Sequence, residues 1–213
     1  MYDKVYCINL DRRPDRFAEF HRNVIDGFGI DKNIFERMPG IDTSTSGLHG
    51  IVGCGLSHLK IWKDMIKNGY DSVLIFEDDF TPVVSREVFD STVSKLYRDH
   101  PDFTVCCISW VTTRDSVLLR RDETFSFANG INTCAGYIIS LEYAKAMYDE
   151  VSRGIINILH GEEIHFNAID IVWHKFQNHK WLISNDVIGI QSPGFSDIQQ
   201  QLMDYTHLFT TKQ

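Results

Sequence analysis

Apolar and polar positions along this chain follow two rhythms: short continuous apolar runs, and longer stretches in which large apolar residues recur every three or four positions. The runs read as buried strands and the stretches as amphipathic helices. Lys4-Val5-Tyr6-Cys7-Ile8-Asn9-Leu10 is a first strand. Pro14 suits the first position of the helix that follows, Asp15 suits its positive end, and Phe17, Phe20, Val24 and Phe28 form its stripe before Gly27 and Gly29 interrupt. Ile34-Phe35-Glu36-Arg37-Met38 is a weaker strand, followed by a loop over 40–50 rich in Thr, Ser and Gly. The segment starting at Gly53 opens a second helix with Leu56, Leu59, Trp62 and Ile66 inward, Lys60, Lys63 and Lys67 outward, and Gly69 as C-terminal cap.

Val73-Leu74-Ile75-Phe76 is the next buried strand, and it runs directly into Glu77-Asp78-Asp79. Val88, Phe89, Thr92, Val93, Leu96 and Tyr97 mark a third helix that stops before Pro101. A strand over 104–109, a hairpin-like region over 116–127 and a strand ending at Ser140 follow. Ser140 is placed to cap a helix from Leu141 to about Ser152, with Gly154 beyond it. Strands and helices alternate through the first two-thirds of the chain, which predicts an α/β fold with a mostly parallel sheet flanked by helices. No repeat or low-complexity linker divides the 213 residues, so a single domain over 1–213 is expected.

Ligands of such sheets gather beyond the carboxyl ends of the strands. Two of the chemically richest segments, Asn9 onward and the acidic triplet, fall there. Three carboxylates at the end of a buried strand repel one another, and a hard divalent cation relieves that cost. If the extended conformation persisted, Glu77 and Asp79 would share a side. Asn9-Leu10-Asp11-Arg12-Arg13-Pro14-Asp15-Arg16 places three arginines at a strand-to-helix turn, where guanidinium groups and helix-start amides suit phosphate oxygens. In Gly53-Cys54-Gly55-Leu56-Ser57-His58 the glycines permit close backbone approach to a ligand, and Ser57 or His58 can hydrogen-bond it. The lysine and spacing of a P-loop are missing.

The net charge of −8 argues against a general nucleic-acid surface. Five cysteines, two of them adjacent at Cys106-Cys107, do not fit a disulfide framework. No stretch reads as a signal peptide or an integral membrane segment, so the expected location is cytoplasmic, with access to a membrane surface left open.

Taken in order, these motifs resemble glycosyltransferase family 25, which includes bacterial lipopolysaccharide and lipooligosaccharide galactosyltransferases and relatives that modify collagen. The segment 9–16 is similar to the family's Asn-Leu-x-x-Arg-x-Asp-Arg opening, and 53–58 followed by Trp62 to its Gly-Cys-x-x-Ser-His segment. Glu77-Asp78-Asp79 is similar to its Glu-Asp-Asp motif, and Ala135-Gly136-Tyr137-Ile138-Ile139-Ser140, Ile169-Asp170, Gln191 and Ser196-Asp197-Ile198 continue the resemblance. It implies a GT-A fold, a UDP-sugar donor, a manganese or magnesium ion, and transfer of galactose or glucose with inversion to a glycan, glycolipid or protein hydroxyl. It also implies Asp79 as main metal ligand with Glu77 beside it, and Asp78 near the sugar or the metal's water shell. Arg13 would meet the diphosphate or the base, and Asn9 and Leu10 the nucleoside.

An inverting reaction needs a general base, and the resemblance gives that role to Asp170, although Ala168-Ile169-Asp170 lacks the proline usual in the family's Pro-x-Asp. Glu162 and Glu163 are the alternatives; His160 and His165, five apart, do not make a zinc-protease pair. The stretch from Gln191 through Ser196 and Asp197 is expected to close over the donor. Two further readings stand beside the transferase: a catalytically degenerate sugar-nucleotide-binding protein, and a metal-dependent nucleotidyltransferase.

Overall fold

A computed structural model describes residues 1–209. The chain begins with β1 (Lys4–Asn9), α1 (Pro14–Phe20) and a π-helical continuation over His21–Asp26, then β2 (Phe35–Pro39), α2 (Gly50–Asn68), β3 (Ser72–Glu77) and the short β4 (Phe80–Pro82). It continues through α3 (Arg86–Asp99), β5 (Val105–Cys107), β6 (Val111–Arg120), β7 (Phe125–Asn132), β8 (Gly136–Ser140) and α4 (Leu141–Leu159). Two single-turn helices, α5 (Ile164–Asn167) and α6 (Ile169–Val172), lead through a 3-10 turn into β9 (Trp181–Ser184). The final described elements are β10 (Gly189–Gln191), β11 (Gly194–Ser196) and β12 (Gln201–Met203), before a 3-10 turn over Thr206–Leu208.

Eight strands form the central sheet in the order β2-β1-β3-β8-β5-β9-β7-β6. Strands β2, β1 and β3 pair in parallel, as do β5 and β9, while β8 and β7 run against their neighbours. Six of the eight therefore point the same way, the mostly parallel arrangement the sequence predicts. The reversed β8 is the exception within the middle of the sheet.

Side chains alternate between two cores, one on each face. Val73, Ile75, Tyr137 and Ile139 pack with Trp62, Met65 and Met147 from α2 and α4. Leu74, Phe76, Cys106 and Ile138 pack with Phe20, Phe89 and Leu96 from α1 and α3. Because β3 is buried on both faces, Leu74→Ala removes contacts that are worth ~2–5 kcal/mol in comparable cores.

Two helix boundaries differ from the sequence reading. Helix α2 starts at Gly50 rather than Gly53, with His49 as N-cap accepting from Ile51 N. Its inner face is carried by Ile61 and Met65 together with Leu59 and Trp62, while Ile66 is only half-buried. Helix α4 does not stop near Ser152 but continues to Leu159. Gly154 lies inside it because a Cβ there would come 2.8 Å from the Asn167 carbonyl, so this glycine permits close packing of α4 on the following turn. Gly69 does end α2, at φ 69°.

Candidate active site

Strands β1 and β3 are adjacent and end together, so Asn9 and the acidic triplet emerge side by side. They open into a cleft of about 540 Å³. Its walls come from the start of α2, the loop over 40–50 and the 191–200 stretch.

The three acids diverge because the strand stops at Glu77 and a turn follows. Glu77 points toward α2, where its Oε1 lies 3.3 Å from His58 Nε2 and 3.4 Å from Cys54 Sγ. Trp62 Nε1 donates to the Tyr137 hydroxyl at 3.2 Å, and Tyr137 lies 2.8 Å from His58 Nδ1. With Nδ1 engaged by the Tyr137 hydroxyl, Nε2–H is left to donate to Glu77. Burial works to raise the Glu77 pKa, but the hydrogen bond and charge of His58, the bond from Cys54 and the charge of Arg16 outweigh it and hold it below the usual range.

Asp78 turns the other way and accepts from Asn9 Nδ2 at 2.7 Å and Arg16 Nη1 at 3.2 Å. Even so, burial leaves its pKa raised. Asp79 sits between them. Burial first, then the charges of Glu77 and Asp78, push its pKa up to about 7. Gln191 Nε2 donates to its Oδ2 at 3.3 Å, whereas its buried Oδ1 has no hydrogen-bond partner. A buried carboxylate oxygen without a donor is a position suited to a cation. The donor chemistry at Asp79, oxygen and negatively charged, fits manganese or magnesium.

Asn9 itself is fully buried and works as a brace: it donates to Asp78 and to the Arg13 carbonyl and accepts from Arg37 Nε at 2.7 Å. Of the three arginines in the β1–α1 turn, Arg12 and Arg16 line the cleft along with Leu10, and Arg13 does not. Arg13 pairs with Asp15 and with Asp197 Oδ2 at 2.8 Å. Arg12 Nη1 meets the other Asp197 oxygen at 2.5 Å, and Arg16 Nη2 donates to the Phe195 carbonyl at 2.6 Å. The turn predicted to suit phosphate thus holds an aspartate from the far end of the chain.

Ser57 lines the cleft, but its hydroxyl also ties the loop to the helix, accepting from Ile41 N at 2.8 Å and donating to the Gly53 carbonyl at 2.7 Å. Gly53 also lines the cleft. A Cβ there would lie 2.3 Å from the Ile41 carbonyl oxygen, so the glycine lets that loop press on α2. Gln191 and Ser196 both border the cleft.

Asp170 sits in the first turn of α6, outside the cleft lining, with burial raising its pKa. Its Oδ2 accepts from Thr133 N at 3.4 Å, and Thr133 Oγ1 donates to Gln191 Oε1 at 3.4 Å, so a relay runs Asp170–Thr133–Gln191–Asp79. Thr133 adopts φ 79°, a left-handed conformation that costs a β-branched residue ~1–3 kcal/mol and is held by this network. Glu162 and Glu163 are exposed on the turn after α4. Sequence reasoning had no signal for Thr133; Arg12, Arg16 and Cys54 lay within motifs it had picked out.

A large, mostly parallel α/β sheet flanked by helices, with an acid turn at the strand ends, is a GT-A-like fold. A glycosyltransferase involved in glycosylation of the major capsid of PBCV-1 shares this fold at a TM-score of 0.51 and 9% identity, over 92% of this chain and 95% of that one. The model of "Glycosyltransferase family 25 (LPS biosynthesis protein)" matches residues 48–159, and the chain belongs to that family. A glycosyltransferase 25 family member of Aedes aegypti is 26% identical over 84% of this chain and 32% of its own length. The inactive glycosyltransferase 25 family member 3 of Mus musculus is 32% identical over 46% of this chain and 19% of its own. Procollagen galactosyltransferase 2 of Mus musculus is 29% identical over 46% and 18%. The chain thus spans a third or less of the length of these relatives. No helix among the described residues is long and apolar enough to cross a membrane.

Proposed function

We propose that this chain is a metal-dependent inverting glycosyltransferase that moves a hexose, galactose or glucose, from a UDP-sugar to a hydroxyl of a glycan, glycolipid or protein. The observation that carries the reading is Asp79, whose buried Oδ1 lacks a donor at the head of a cleft that Arg12 and Arg16 also line. In this reading Asp79 holds the manganese or magnesium ion with Glu77 nearby, and the bound ion supplies Lewis-acid stabilisation of the departing diphosphate. Arg16 and Arg12 bind phosphate oxygens, Leu10 borders the nucleoside, and Asp78, fixed by Asn9, orients the sugar. Arg13 acts through Asp197 rather than on the donor. Ser57 and His58 hold the cleft wall in shape, and Gln191 and Ser196 cover the donor.

Asp170 is the proposed general base. Burial keeps its pKa above the ordinary carboxylate value, which suits acceptance of a proton from an acceptor hydroxyl, a contribution of roughly 100- to 10,000-fold. Its position behind Thr133 requires the acceptor to reach past the cleft lining, or Thr133 to move.

The test is incubation with a panel of UDP- and GDP-sugars, with manganese or chelator, following nucleotide release. Manganese-dependent release of UDP from one donor supports the enzyme. A sugar-nucleotide-binding protein without turnover is the second reading, favoured by the inactive relative named above. It predicts thermal stabilisation by UDP, ~2.7 kcal/mol at one hundred times Kd, with no release.

A further inference from the structure

The floor of the cleft carries a second donor set whose chemistry differs from that of Asp79. Cys54 and His58 lie one turn apart on the same face of α2, and Glu77 reaches them from the end of β3. One ligand atom from each lies within 4.8 Å of the other two. Sγ to Oε1 is 3.4 Å and Nε2 to Oε1 is 3.3 Å. Donor atoms around a tetrahedral zinc ion are separated by about 3.3–3.7 Å, given bonds of about 2.0–2.3 Å.

We propose that Cys54, His58 and Glu77 form a site for zinc or a similarly thiophilic dication, separate from the hard-cation position at Asp79. Sulfur, nitrogen and one carboxylate select zinc over magnesium or manganese. The support around the trio is already built: the Tyr137 hydroxyl engages His58 Nδ1 and is itself fixed by Trp62 Nε1, so Nε2 is the nitrogen aimed at the site. Cys54 and Glu77 border the cleft, so a fourth ligand, water or an anionic oxygen, can enter from it. Zinc binding would displace the Cys54 thiol proton and the Nε2 proton now shared with Glu77. The proposal does not depend on sugar transfer, because its readout is metal binding.

The test uses chelator-treated, reduced protein titrated with cobalt(II) as a spectroscopic stand-in for zinc. One equivalent is expected to give an intense near-ultraviolet thiolate-to-cobalt band, removed by zinc and unchanged by excess magnesium. Cys54→Ser should abolish the band and weaken zinc binding at least ~10-fold, whereas Cys134→Ser should retain both. X-ray absorption of the zinc-loaded unmodified protein provides a measurement that no variant's folding can confuse. One sulfur with nitrogen and oxygen in the first shell supports the site. An all-oxygen and nitrogen shell, or a thiolate band that survives Cys54→Ser in folded protein, overturns it.

Discussion

Asp79 shows how three adjacent acids come to differ. Glu77 is held ionised by His58 and Cys54, and Asp78 has Asn9 and Arg16, so the repulsion falls on the residue with the weakest partners. Its folded pKa of about 7 lies above the ordinary 3.8, so the folded state binds the extra proton. Stability from this group is therefore fully present below pH ~4 and lost as pH rises through ~7. Asp79→Asn should accordingly stabilise metal-free protein at pH 8 by on the order of 2–4 kcal/mol, with the gain gone near pH 4, as read by urea unfolding. Manganese should raise the melting temperature of the unaltered protein at pH 8 and leave that of Asp79→Asn unmoved. The presence of a charged strand end was legible in the sequence. The divergence of the three side chains was not, because the period of two stops where the turn begins.

Among the elements, α2 separates two glycines that look alike in sequence. Both sit in a helix interior, where alanine is ordinarily better by ~1 kcal/mol. At Gly53 a Cβ meets a backbone carbonyl at 2.3 Å; at Gly55 it meets the flexible end of Ile155 at 3.0 Å. Gly53→Ala should cost ~1–3 kcal/mol and Gly55→Ala less than ~1 kcal/mol, a contrast visible in thermal melts. Alternation and spacing had located β1 to β3, β5 to β8 and α1 to α4, but not the short β4 or the strands β9 to β12. They misplaced the start of α2 and the end of α4 because a glycine chosen for packing looks the same in sequence as one chosen to end a helix.

The β11–β12 hairpin is clasped to the α1 turn by Asp197, shared between Arg12 and Arg13. Arg12 is 40% exposed, so the clasp contributes ~1 kcal/mol or less to global stability. Asp197→Asn should leave the melting temperature nearly unchanged yet speed proteolytic cleavage within 192–203. It should also tighten binding of inorganic pyrophosphate, measured by calorimetry, since two guanidinium groups lose their resident anion.

At the scale of the whole molecule, one edge of the sheet carries no further strand among the described residues. Strand β6 forms its outer edge and exposes Val117, Leu118 and Leu119, the last at 62%. Such an edge invites pairing with other chains. Leu119→Lys should lower light scattering at high protein concentration with no measurable change in unfolding midpoint. The α/β class and the strand-end location of the site were readable from the order of the segments. The reversal of β8 was not, since pairing direction leaves no mark on a run that is buried on both faces.

One further consequence follows from the pairing of β10 with β4, which carries Gln191 to Asp79 across more than a hundred intervening residues. During synthesis, both inner faces of β3 can be covered long before residue 191 leaves the ribosome. The acidic turn must then wait, facing water, for β10. A polypeptide cut short before β10 would keep α1 to α4 and most of the sheet, yet lack the roof of its own cleft. Assembly of the candidate site thus comes later than that of the layers that support it.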